Sequence, residues 1–150
     1  MKRKLYLLLG LLVALQMPLL TSCNDDDEDI MPTQVPAEVT TALAERYPSA
    51  TTPKWEKGKG LYKAEFYNES GEVDVWFKAN GEWVMTQTDI FPQNLPEAVK
   101  NYVATNYPDR IIDDADHFET PTADYYLLEL EKPGAKDIYI KLTPGGELIP

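Results

Sequence analysis

The sequence predicts an α+β fold in which two tandem α-β-β-β-β repeats share one curved antiparallel sheet of about eight strands, with the helices on one face. Three observations predict it. The stretch Val35 to Pro48 recurs 60 positions on as Leu95 to Pro108, with Pro36/Pro96, Val39/Val99, Ala44/Ala104, Tyr47/Tyr107 and Pro48/Pro108 identical, five of 14 gapless positions, which marks a duplication. Each copy carries helical periodicity between two prolines. Each is followed by runs of period-two alternation separated by turn residues.

In the first copy Val39, Ala42, Leu43, Arg46 and Tyr47 share one helical face, with Glu38, Thr41 and Glu45 opposite. Pro36 suits a helix start because its missing N–H would have no partner there, and Pro48 disfavours helical dihedrals at Tyr47. A helix of about three turns is marginal alone in water and needs a sheet to pack on. Thr51 to Lys57 reads as a first strand, restricted by Pro53 to an edge or irregular position. Leu61 to Tyr67 alternates with Tyr62, Ala64 and Phe66 inward, and Glu72 to Lys78 with Val73, Val75 and Phe77 inward. Asn80-Gly81 fits a two-residue hairpin, whose central residues need positive φ, and Glu82 to Thr88 returns.

The second copy repeats the order. Val99, Tyr102, Val103 and Asn106 or Tyr107 face inward from the helix, and Arg110 to Phe118 is the next strand. Tyr126, Leu128 and Leu130 match Tyr62, Ala64 and Phe66, while Ile138, Ile140 and Leu142 match Val73, Val75 and Phe77; four extra residues fall near 119–124. A unit of this size is marginal by itself, and the link Asp89 to Asn94 is short, so one continuous sheet is expected.

Ahead of the fold, Lys2-Arg3-Lys4 and the apolar run Leu5 to Leu20 have the basic and hydrophobic regions of a secretory signal. The run is 16 residues and contains Gln16 and Pro18, short of the roughly 20 apolar residues of a spanning helix. Leu20-Thr21-Ser22-Cys23 resembles the bacterial lipobox, which makes residues 1–22 the signal and Cys23, the one cysteine, the lipidated first mature residue. No cysteine remains for a structural bridge. Residues 23–34 read as an acidic flexible tether, and Asn24 to Asp29 resembles the export signal of Bacteroides-type lipoproteins, which implies an outer-membrane, cell-surface address; the periplasmic face is the alternative. Without Lys2, Arg3 and Lys4 the mature chain carries 11 Lys+Arg against 25 Asp+Glu, a net charge of −14, which excludes a basic nucleic-acid footprint.

The doubled Pro-to-Tyr-Pro helix, the Tyr62 to Phe66 strand and the Val73 to Glu82 hairpin resemble the beta-lactamase-inhibitor-like, PepSY-like family of exported bacterial proteins, over residues 35 to 149. The domain then spans 35–150, with repeats at 35–92 and 93–150. The resemblance implies helices on the convex side of the sheet, and the inhibitor that names the family grips an enzyme with its concave face and loops. No residue here matches those binding loops.

No catalytic constellation stands out. His117, the one histidine, sits among Asp113, Asp114 and Asp116, whereas a zinc site needs three or four ligands with several His or Cys. The acidic run after Cys23 lacks the glycine-turned spacing of a calcium loop. Ser49 and Ser70 lie at a helix end and a turn, away from any nucleophile-elbow pattern, and Asn68-Glu69-Ser70 fits a turn or a glycosylation acceptor. The expected reading is a non-enzymatic monomer with no cofactor and no metal.

The strand faces opposite the core are more informative. They present Lys63, Glu65, Tyr67, Asp74, Trp76 and Lys78, then Tyr125, Leu127, Glu129, Tyr139 and Lys141. Tyr67, Trp76, Tyr125, Leu127 and Tyr139 are the candidate partner-binding residues, since aromatics mixed with charges typify interface centres. Cross-strand pairing is the competing account of the same aromatics, and a small-ligand cleft is a third. The expected function is a lipid-anchored cell-envelope module holding or inhibiting an unidentified protein or peptide through the helix-free face; the alternative is a surface lipoprotein that binds a glycan or other small ligand.

Overall fold

The computed structural model describes residues 27–150. The expectations for the signal, Cys23 and the first acidic residues lie outside the described residues. Within them the chain runs β1 (Glu28–Ile30), α1 (Ala37–Arg46), β2 (Lys54–Gly58), β3 (Leu61–Tyr67), β4 (Glu72–Lys78), β5 (Trp83–Asp89), α2 (Glu97–Asn106), β6 (Ile111–Glu119), β7 (Asp124–Glu131), β8 (Ile138–Leu142) and β9 (Leu148–Ile149). The nine strands form one sheet in chain order, each antiparallel to the next.

The helices pack where their periodicity demands. From α1, Val39 and Leu43 meet Trp55, Tyr62, Ala64, Phe66, Val73, Val75 and Phe77. From α2, Val99 and Val103 meet Ala115, Leu128, Leu130, Ile140 and Leu142. Burial of each such side chain contributes about 1.5–3 kcal/mol, which a ten-residue helix needs in order to persist. Both cores lie on one face, because the register aligns Phe66 with Val73, Val73 with Thr88, Thr88 with His117, His117 with Tyr126 and Tyr126 with Leu142. Among the described residues the other face carries no helix.

Polar groups drawn under α1 are satisfied. Tyr47 closes the helix with its ring 5.3 Å from Phe66, and its hydroxyl lies 2.7 Å from the buried Thr86 Oγ1, which also accepts the Trp83 Nε1 hydrogen bond at 3.0 Å. Arg46 departs from the inward expectation and is exposed. A guanidinium has no low-cost place in an apolar core, so it lies over the Trp83 ring, 3.7 Å from the centroid. In the second repeat the inward residue is Tyr107; Asn106 is exposed and donates its amide to the Tyr102 carbonyl at 2.9 Å.

Two turn glycines fix how each hairpin meets its helix. Gly81, with φ +80°, would place a Cβ 2.7 Å from the Glu38 carbonyl oxygen, and Gly146, also with φ +80°, would place one 2.6 Å from that of Ala98. Residues 38 and 98 are 60 positions apart, so the same backbone-to-backbone approach is built twice. Only glycine fits it.

The structure corrects three expectations. Residues 28–30, expected in the flexible tether, form β1, pairing Glu28 with Lys57 and Ile30 with Trp55, while Ile30 packs against the first core. Consequently β2 is not the edge strand that Pro53 suggested, because that proline precedes the strand and β1 covers its outer side. The repeat also starts earlier than Val35. Asp29, Ile30 and Pro32 recur as Asp89, Ile90 and Pro92 at the same 60-residue spacing, and both copies run from a strand through a 3-10 turn, Pro32–Gln34 or Pro92–Asn94, into the helix. The four extra residues of the second copy lie at the tip of the β6–β7 hairpin. The end of β6 is where the halves join, through pairs such as Gln87 with Phe118 and Asp89 with Asp116.

Candidate functional site

On the helix-free face, strand pairing sets side chains in cross-strand rows. One row runs Glu56, Lys63, Trp76, Met85; the next runs Lys54, Glu65, Asp74, Gln87, Phe118, Tyr125. Beyond them Asp116, Leu127 and Lys141 align, and then Asp114, Glu129 and Tyr139. Register shifts occur at Trp76/Phe77 and Ile112/Asp114, and bulges of this kind bend and twist a sheet.

The candidate residues stand differently on this face. Tyr67 is 70% exposed and donates its hydroxyl to Glu72 Oε2 at 2.5 Å. Tyr139 is 43% exposed and donates to Glu129 Oε1 at 2.8 Å. These hydrogen bonds push both phenols up to about 12. Trp76 is half-buried between Lys63 and Met85. Tyr125, also half-buried, stacks on Phe118 with centroids 5.2 Å apart and rings 14° from parallel, and the Lys141 ammonium lies 5.4 Å from its centroid.

Leu127 does not fit the expectation. It is only 5% exposed, and Phe118 on the same face is 2% exposed. Two apolar side chains buried on a face without helices are what a sheet bent toward that face produces, so Leu127 supports the surface from beneath and presents little of itself to a partner. The Phe118–Tyr125 stack is a directly opposed cross-strand pair, so part of the aromatic content does stabilise the sheet.

The remaining aromatics do not converge. Trp76 on β4 and Tyr139 on β8 are separated by three strands, a path of about 19 Å across the sheet at the usual spacing between strands. A charged cluster lies on the β1–β4 side of the face, next to Trp76 and away from Tyr139. There Lys63 Nζ reaches Glu56 at 2.6 Å, Asp74 at 3.6 Å and Glu65 at 3.8 Å, while Lys54 holds Glu56 at 2.7 Å and Asp29 at 3.1 Å. Burial pushes the Glu56 carboxyl up, but the two lysine hydrogen bonds outweigh it and leave the group below its ordinary range. Asp74 has no such relief. Burial, with Glu65, Glu72 and Glu56 adding to it against the pull of Lys63, raises it to about 6, and its Oδ1 is buried without a hydrogen-bond partner. Asp116 is likewise raised to about 6 by burial, opposed by the Gln87 amide donating at 3.0 Å and reinforced by Asp114, Asp89 and Asp74.

Sequence reading missed Asp116, Gln87, Met85 and Phe118 on this face. The acids of β6 do not alternate cleanly with apolar residues, and the bulge at Ile112/Asp114 resets which side each one takes. Glu65, Glu72 and Asp74 bring carboxylate oxygens within 4.8 Å of one another. Three such ligands fall short of the six to eight oxygens that calcium takes, and the Lys63 ammonium occupies the same neighbourhood. His117 lies on the helix-bearing side, stacked on Tyr126 at 4.5 Å, with Nε2 2.6 Å from Asp124 Oδ1. The Asn68 side chain accepts the Ser70 and Gly71 N–H groups at 2.7 and 3.2 Å and so organises the β3–β4 turn. Two shallow depressions, one of about 420 Å³ by Tyr67 and Asn68 and one of about 450 Å³ by Tyr107, Tyr139 and Leu148, both lie away from the acidic centre.

No described helix is long and apolar enough to cross a membrane. The model of the beta-lactamase-inhibitor-like, PepSY-like family matches residues 23–70 and 60–150. No curated protein matches the chain. Among solved structures, a BLIP-like protein from Bacteroides fragilis is 31% identical, with 76% of this chain and 83% of that one covered and a TM-score of 0.68. A DUF2874 family protein from Bacteroides ovatus is 26% identical over 78% and 86% of the two chains, with a TM-score of 0.69. A protein from Bacteroides eggerthii, provisionally described as periplasmic, is 30% identical over 77% and 86%, with a TM-score of 0.67. The resemblance carried by the doubled helix and the strand motifs is thus matched by the family model, the solved folds and the two-core sheet alike. The chain belongs to the beta-lactamase-inhibitor-like, PepSY-like family.

Proposed function

We propose that this protein is a non-catalytic, lipid-anchored cell-envelope module that holds or inhibits a protein or peptide through the helix-free face of its sheet. The observation that carries this reading is the spread of Trp76, Tyr125, Tyr139 and Tyr67 among carboxylates on a face bearing no helix. A standard protein footprint covers about 800 Å² per partner, roughly 30 Å across, wide enough to touch both Trp76 and Tyr139. One small molecule is not. The similarity to a BLIP-like protein is consistent with an inhibitor-like use of the sheet. Removing both aromatic anchors, as Trp76→Ala with Tyr139→Ala, is expected to weaken capture of a partner from envelope extract by 100-fold or more, as two interface hot spots would, while thermal stability stays near the parent value. Unchanged capture would count against this surface.

The depression lined by Tyr107, Tyr139 and Leu148 favours a second reading, stacking of a glycan or other small ligand at the β9 end of the sheet. A saturable thermal shift in a glycan panel, lost on Tyr139→Ala, would support it over protein binding. For the address, we propose lipidation of Cys23 and placement at the outer membrane, exposed at the cell surface. Labelled palmitate should enter the parent and not Cys23→Ala; equal labelling would sink the anchor.

A further inference from the structure

Charge on the helix-free face is uneven in a way that net charge alone does not reveal. Its lysines on β2 and β3, Lys54 and Lys63, are engaged first by Glu56, with Asp29 also on Lys54; Lys63 alone is then shared, at 3.6 and 3.8 Å, between Asp74 and Glu65, and Lys141 is drawn over the Tyr125 ring. Five carboxylates therefore dominate a strip that crosses the junction of the repeats: Glu65 beside Asp74 on one side of Gln87, and Asp116 followed by Asp114 beside Glu129 on the other. The strip extends from β3 to β7, about 19 Å at the usual strand spacing. That is too wide for a single ion, whose oxygen ligands sit at 2.3–2.6 Å in a calcium site. Within it, Asp74 Oδ1 is a buried acceptor without a donor among the described residues. Aromatic rings flank it, Trp76 next to Asp74 along β4 and the Phe118–Tyr125 pair continuing the Glu65–Asp74–Gln87 row beside Asp116.

Carboxylates beside aromatic faces suit one side chain above others. A guanidinium is planar, pairs with carboxylates through two parallel N–H bonds, and stacks on rings while doing so; an ammonium is a point charge that shares only the attraction. The protein already uses the stacking half of this arrangement on its other face, where Arg46 covers Trp83. Resting on the reading of this face as a protein-binding surface, we propose that its partner is a basic, arginine-bearing protein segment laid along the Glu65–Asp74–Asp116–Glu129 strip. The guanidinium groups replace the mutual repulsion of the strip with ion pairs, and the flanking rings exclude water from them. An acidic or neutral partner would gain only the rim aromatics.

The test uses the full chain in non-ionic detergent, with fluorescein-labelled hepta-arginine as the probe and hepta-citrulline, its uncharged near-isostere, as control. Anisotropy should show saturable binding of hepta-arginine and at least tenfold weaker binding of hepta-citrulline. Asp74→Asn with Asp116→Asn should weaken hepta-arginine binding tenfold or more. Glu38→Gln with Glu45→Gln, an equal charge change on exposed positions of α1, should alter it less than twofold. Equal loss in the two double variants would mean general attraction to an acidic protein and would overturn the proposal, as would absence of hepta-arginine binding. The two readings of the face fail separately. A captured partner that depends on Trp76 and Tyr139 but ignores Asp74→Asn with Asp116→Asn would refute the basic partner and leave the binding face standing. Strip-dependent arginine binding without any Trp76-dependent partner would do the reverse.

Discussion

Alanine at Gly81 or at Gly146 is expected to lower the midpoint of thermal unfolding by roughly 10 °C. Two penalties coincide at each position. A non-glycine residue held at positive φ costs about 1–2 kcal/mol, and the added Cβ, under 3 Å from a helix carbonyl oxygen, forces the hairpin away from the first turn of the helix it abuts. Together they amount to about 2–4 kcal/mol, and in a domain of this size each kcal/mol shifts the midpoint by about 3–5 °C. Gly60 and Gly134, which also have positive φ but have nothing within 4 Å of an added Cβ, should lose only the conformational part. Calorimetry on the four alanine variants separates the contributions. Equal losses at Gly60 and Gly81 would show that the close approach to α1 contributes nothing.

The opposite sign is expected at the acidic strip. Asp74 and Asp116 are raised from an ordinary value of 3.8 to about 6 in the folded chain. Between those limits the folded state holds more protons than the unfolded one, so these groups make stability fall as pH rises through about 4 to 6. Below that window both states are protonated at these sites and the penalty is absent; above it the penalty is complete. Asp74→Asn with Asp116→Asn should therefore stabilise the protein at pH 7 by roughly 2–4 kcal/mol, less than additively because Asp74 itself contributes to the shift at Asp116. At pH 3, below both limits, the gain should largely vanish. Denaturant titrations of parent and variant at the two pH values give the difference directly, and an equal gain at both would remove ionisation as its cause. A binding loss in this variant could not be attributed to unfolding. Positions that cost stability when ionised are what a binding surface retains at the expense of the fold.

The fold was legible wherever one physical pattern ruled a segment. In α1 and α2 the inward set is spaced at the helical period and closed by prolines, and β3 and β4 alternate so cleanly that their ends, Leu61–Tyr67 and Glu72–Lys78, coincide with the expected runs. It was less legible where two patterns compete. Charge density at Glu28 and Asp29 argues for solvent, yet an edge strand keeps such side chains in water while its backbone pairs, and only Ile30 needs burial. The repeat Asp-Ile-x-Pro at Asp29 and Asp89 carried that information in the sequence itself. On the candidate face, alternation placed Trp76, Tyr125 and Tyr139 on the correct side, but it says nothing about curvature. It likewise gives no sign that Leu127 and Phe118 are buried on this face, or that Asp116 shares it.

That first short strand would also limit how far the domain could stand from a lipid on Cys23, were the proposed anchor present. Had the fold begun at Val35, 12 residues would separate it from Cys23, a leash of about 40 Å when fully extended. With Glu28 already in the sheet, only five peptide steps remain, about 18 Å at most. A lipid on Cys23 would therefore hold the β1 margin against the headgroups. The sheet would be less a tethered float than a blade rooted at one edge, with β9 at its free tip. A partner would have to come within that layer, and lengthening the leash by a dozen flexible residues should change which partners can reach the face without changing the face itself.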